Sequence, residues 1–64
     1  MNLKKYYGTL VDITGTDGRS GTGKVTDYIF PEDNENGIES IIVDFLDGTA
    51  QEFYPNQIKS IKAK

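Results

Sequence analysis

Apolar residues along this chain alternate with polar ones at a period of two, and no window of about eleven residues carries a capped apolar stripe at helical spacing. Alternation of that kind sends successive side chains to opposite faces of a strand, so the pattern predicts an all-β fold. A first strand is expected over residues 7–14, with Tyr7, Thr9, Val11 and Ile13 on one face and Gly8, Leu10, Asp12 and Thr14 on the other. Val11 and Ile13 then point inward. Asp17-Gly18 supplies the positive-φ geometry of a tight hairpin. The second strand, 19–30, carries Gly21 and Gly23, which in a strand mark a bulge or a bend where another backbone comes close.

A polar loop follows over 31–37, opened by Pro31 and closed by Asn36-Gly37. The third strand, 38–46, places Ile41, Val43 and Phe45 on its core face and Ser40, Ile42, Asp44 and Leu46 on the other. Asp47-Gly48 makes a second hairpin into a fourth strand, 49–54, whose one large inward side chain is Phe53. Pro55 ends that strand. Ile58 and Ile61, three apart, fit a single helical turn leading into a short last strand. Five short strands in 64 residues predict a small closed or nearly closed barrel. Its core is expected from Val11, Val25, Ile41, Val43, Phe53, Ile58 and Ile61.

Length allows one domain and one modest core, since a chain this short buries only about 60% of its unfolded surface. With no Cys and no His, neither disulfides nor the usual zinc ligands are available to reinforce it. The missing Cys and the lack of an apolar stretch after Met1-Asn2-Leu3-Lys4-Lys5 suggest a cytoplasmic protein. The longest apolar run is Ile41-Ile42-Val43, so no membrane role is expected.

Charge is divided along the chain. Asp27, Glu32, Asp33, Glu35, Glu39, Asp44, Asp47 and Glu52 fall in a stretch without Lys or Arg, whereas Lys4, Lys5, Lys59, Lys62 and Lys64 lie at the ends. If the termini meet, the molecule has one acidic and one basic side, which is either two solvated faces or a pair of binding surfaces. Tyr6 and Tyr7 beside Lys4 and Lys5 are the aromatics most open to stacking on a nucleic-acid base, although tyrosine also favours half-buried strand positions.

Catalysis has little to work with. Without His or Cys the candidates are carboxylates, Lys and Tyr, and pairs such as Asp44 and Glu52 arise readily among so many acids, so no enzyme activity is expected. Residues 18–24 spell a phosphate-binding loop up to Lys24. Val25 then stands where a magnesium-binding Ser or Thr is needed, and a strand follows instead of a helix. Glu32, Asn34, Asn36 and Gly37 begin like a calcium loop, but its twelfth position is Val43 rather than a bidentate Glu. Neither cofactor nor metal is expected.

The order of strand, Asp17-Gly18 turn, glycine-bent strand with Gly23-Lys24-Val25, loop, long strand, second turn and Ile58-Lys59-Ser60-Ile61 resembles the Sm-like (LSM) fold over residues 6–62. It is most similar to small Sm-like proteins of Gram-positive bacteria, in which an Asp-Asn loop precedes a Glu-Ser-Ile strand start, here Asp33-Asn34 and Glu39-Ser40-Ile41. The resemblance implies a five-stranded Sm-like, SH3-like barrel and makes Asp33 and Asn34 candidate loop contacts for RNA. RNA-binding members also carry an Arg-Gly or Lys-Gly element before the last strand, and this chain has Tyr54-Pro55-Asn56 there. Glu32 and Glu35 flank the Asp-Asn pair with charge that repels phosphate.

The resulting expectation is a non-catalytic binding module that works through a protein partner or self-association, using edge strands and the outward apolar residues Leu10, Ile42 and Leu46. RNA or single-stranded nucleic acid is the alternative, through Lys4, Lys5, Tyr6, Tyr7, Lys59, Lys62 and Lys64.

Overall fold

The computed structural model describes residues 2–64. Five antiparallel strands, β1 (Leu10–Gly15), β2 (Ser20–Ile29), β3 (Ser40–Phe45), β4 (Ala50–Phe53) and β5 (Ile58–Ala63), form one sheet in the order β4-β3-β2-β1-β5. The first four follow one another as a meander, and β5 returns to pair with β1, as Ile13 opposite Ile61 shows. Among the described residues no ladder joins β4 to β5, so the sheet is curled but not closed. There is no α-helix among them; three short 3-10 turns, Lys4–Tyr6, Pro31–Asp33 and Pro55–Gln57, complete the elements.

The concave face holds the core. Leu3, Val11, Ile13, Val25, Ile41, Val43, Phe53 and Ile58 are buried, with Tyr6, Tyr28, Phe45 and Ile61 packed against them. Ile61, expected inside, is only half-buried because it lies on the edge strand β5. Leu3 was not expected in the core at all. It is fully buried because the Lys4–Tyr6 turn folds the N-terminus over one end of the sheet, where the Leu3 amide donates to Glu39 Oε1 at 3.3 Å. That turn also replaces the start of the expected first strand. Tyr7 is the residue after the turn, Gly8 takes φ +79°, and regular pairing with β5 begins only around Leu10 and Val11.

Both Asp-Gly hairpins are built alike. Gly15 and Phe45 accept from the Gly18 and Gly48 amides at 3.0 Å, and only the glycines, at φ +89° and +92°, adopt positive φ. This is a type I turn closed by a left-handed glycine rather than the two-residue primed turn. In each, the aspartate side chain accepts from the amide two residues on, Asp17 from Arg19 and Asp47 from Thr49, both at 3.0 Å.

The curl comes from close approach and a bulge. A Cβ on Gly23 would lie 2.5 Å from the Asp44 carbonyl oxygen, and one on Gly21 would lie 3.0 Å from the Phe45 ring, so β2 admits β3 only because both are glycine. The bulge itself falls at neither glycine. The β2–β3 register shifts between Val25 and Asp27, leaving Thr26 as the extra residue. Ser40, expected on the solvent face, is completely buried, because the 30–39 connection folds over it.

Candidate functional site

The candidate residues do not gather in one place. On the convex face, β2, β1 and β5 run side by side. Leu10, 42% exposed, has Lys24 opposite it on β2, and its carbonyl accepts from the Lys64 amide at 2.9 Å on the other side. Cross-strand partners share a face, so Lys24, Leu10 and Lys64 form one row. In the next row Asp12 lies between Thr22 and Lys62, accepts from the Thr22 hydroxyl at 2.5 Å and meets Lys64 Nζ at 3.7 Å. Lys59 is exposed at the irregularity where the β1–β5 register shifts. First and last strands are thus neighbours, as pooling of the basic ends requires.

The N-terminal lysines lie against aromatic rings. Lys4 Nζ sits 5.0 Å from the Phe30 ring centroid and Lys5 Nζ 5.2 Å from that of Tyr6. Phe30 follows the end of β2, six residues beyond Lys24 and up to about 20 Å away at full strand rise, so Lys4 lies toward the opposite end of β2 from the Lys24–Lys64 row. Tyr6 packs on the core, and Tyr7 is 59% exposed.

Asn34 serves the loop. Its Nδ2 donates to the Ile38 carbonyl at 2.7 Å and to Ser40 Oγ at 3.0 Å, while Ser40 donates to Glu52 Oε2 at 2.7 Å. This chain of bonds fastens the β2–β3 connection to the sheet, which leaves Asp33, exposed on the Pro31–Asp33 turn, as the open member of the pair. Tyr28 donates to Glu39 Oε1 at 3.0 Å; partial burial first, and that bond second, push the Tyr28 hydroxyl above its ordinary value. Among the described residues no three acidic side chains converge as a metal cage would require.

Of the three outward apolar candidates, Ile42 is half-buried on the convex face, in register with Asp27 on β2 and Glu52 on β4. It is separated from Leu10 by β2. Leu46 is 75% exposed and belongs to a different surface. It lines a groove of about 310 Å³ at the open end of the concave face, with Ile13, Gly21, Phe45 and Phe53 beneath and the two hairpin tips as walls. Phe45 and Phe53 meet edge to face there, 6.2 Å apart. This groove was not anticipated. Its one sequence sign is the glycine at 21, whose missing side chain leaves room over the Phe45 ring.

The walls carry charged side chains. Asp17 holds Arg19 at 2.9 Å, and the Arg19 amide and guanidinium keep its carboxyl below the usual aspartate range. Asp47 is held low by the Thr49 hydroxyl and then the Thr49 amide. No helix among the described residues is long and apolar enough to cross a membrane. No protein-family model, characterised protein or solved structure matches this chain.

Proposed function

We propose that this chain is a non-catalytic binding module of the Sm-like, SH3-like barrel kind and that it works by protein–protein contact, self-association foremost. The single observation that carries the reading is the pair of open edges. β4 and β5 end the sheet on opposite sides, each with one row of backbone amides and carbonyls that no other strand among the described residues pairs. Such rows are templates for another strand, and proteins that do not use them cover or charge them. Here the charges are opposite in sign. β4 bears Glu52 and follows Asp47, whereas β5 and its end bear Lys59, Lys62 and Lys64. A contact of the β4 edge of one copy with the β5 edge of another thus joins unlike charges, whereas like edges repel.

The barrel reading draws on strand order, on the 3-10 turn between β4 and β5, and on the return of β5 to β1. Light scattering over a range of concentrations, with and without a mixed RNA pool, tests the function. A mass that rises with concentration and is indifferent to RNA is expected. A monomer at every concentration that gains mass only with RNA would replace this reading by nucleic-acid binding through the lysines.

A further inference from the structure

We propose that the groove between the two hairpin tips receives an apolar side chain of a protein partner that carries Lys or Arg beside it. The inference rests on the interaction-module reading and assigns it a second surface, separate from the strand edges. The two ends of the concave face differ. One is stopped by Leu3, which the Lys4–Tyr6 turn drives into full burial, while the other is left open above Phe45 and Phe53. At about 310 Å³ the opening is at the small end of ligand sites, enough for one large side chain and part of its backbone. Its floor is apolar and aromatic, through Ile13, Phe45 and Phe53.

The rim selects the neighbouring charge. Arg19 and Asp17 neutralise each other across 2.9 Å, and among the described residues Asp47 has no ion-pair partner, so the rim is net negative. Asp47 is also held in place, since its Oδ1 accepts from the Thr49 amide at 3.0 Å and from the Thr49 hydroxyl at 2.7 Å. A carboxylate positioned in advance beside an apolar floor favours a cation next to an apolar anchor, and disfavours an acidic partner by the same interaction.

Titrating the isotope-labelled full chain with three capped tripeptides, Lys-Phe-Lys, Glu-Phe-Glu and Lys-Ala-Lys, followed by amide chemical shifts, tests this. Lys-Phe-Lys should move Gly21, Phe45, Leu46 and Asp47 in a saturable way, Glu-Phe-Glu should bind about two- to five-fold more weakly, as one exposed ion pair provides, and Lys-Ala-Lys should leave these amides still. Asp47→Asn keeps an Oδ1 for the turn but removes the charge, so the first two peptides should then bind alike. Shifts that fall on the acidic loop instead, that do not saturate, or that discriminate equally in Asp47→Asn overturn the proposal. If association persists by light scattering while the peptides stay out of the groove, the groove assignment alone is wrong.

Discussion

Gly23 and Val43 meet where β2 crosses β3, and what each tolerates follows from the space around it. Val43 is fully buried, so Val43→Ala loses transfer energy and leaves a cavity, at a cost of about 1 to 3 kcal/mol. Gly23→Ala fails for the opposite reason. Its Cβ would sit 2.8 Å from a Val43 methyl and 2.5 Å from the Asp44 carbonyl oxygen, and backbone cannot move aside as a side-chain tip can. Overpacking of this kind costs about 1 to 3 kcal/mol. Urea midpoints should fall for both variants, and if Gly23→Ala unfolds at the parental midpoint the close approach is wrong. Glycine in β2 is legible in sequence as a sign of proximity, but which backbone comes near depends on β3, twenty residues away.

Among the elements, the N-terminal turn and the two hairpins bear on stability in different ways. Leu3 contributes through one side chain pressed into the end of the core, so Leu3→Ala should cost about 2 to 5 kcal/mol, far more than a surface change near a chain end. A denaturant curve matching the parent's would show that the turn does not cover the core in solution. The hairpins act through charge. Asp17 and Asp47 each have a folded pKa below the ordinary 3.8, so the folded state binds protons less readily than the unfolded one. Their contribution is complete above 3.8 and is lost as pH falls through the lowered values. Melting temperature should therefore drop on acidification below about pH 4, and Asp47→Asn, which has no proton to bind, should flatten part of that drop. An unchanged slope in the variant would remove Asp47 from the account.

At the scale of the whole molecule, a net charge of -3 conceals a sheet with an acidic β4 end and a basic β5 end. Screening lengths near 10 Å at about 0.1 M salt leave contact-range attractions partly intact and weaken them further as salt rises. Self-association through the edges should thus loosen as salt is raised, as sedimentation velocity would register. Association that strengthens with salt would point to an apolar contact through Leu46 or Leu10 in place of the charged edges.

Local chemistry determined much of this protein in advance. Alternation placed Val11, Ile13, Val25, Ile41, Val43 and Phe53 on the buried face, Asp-Gly marked both hairpins, and Pro55 marked the end of β4. These depend on backbone preference and period, which neighbouring residues suffice to express. The Ile58–Ile61 spacing, expected of a helical turn, belongs instead to β5: the turn is Pro55–Gln57, and the register shift at Lys59 is what sets the two isoleucines three apart on the inward side. Tertiary structure alone decided the rest. Leu3 lies in no alternating segment and is buried only because the Lys4–Tyr6 turn covers one end of the core, and Ser40, placed by alternation on the solvent face, is closed over by Asn34 and Glu52. Lys4 was drawn to Phe30 and Lys64 to Asp12, so these two members of the basic set seen in sequence have different neighbours in space. The groove beneath Leu46 exists only because residues from four strands and two hairpin tips converge, and burial across such sequence distances leaves no periodic trace in any one segment.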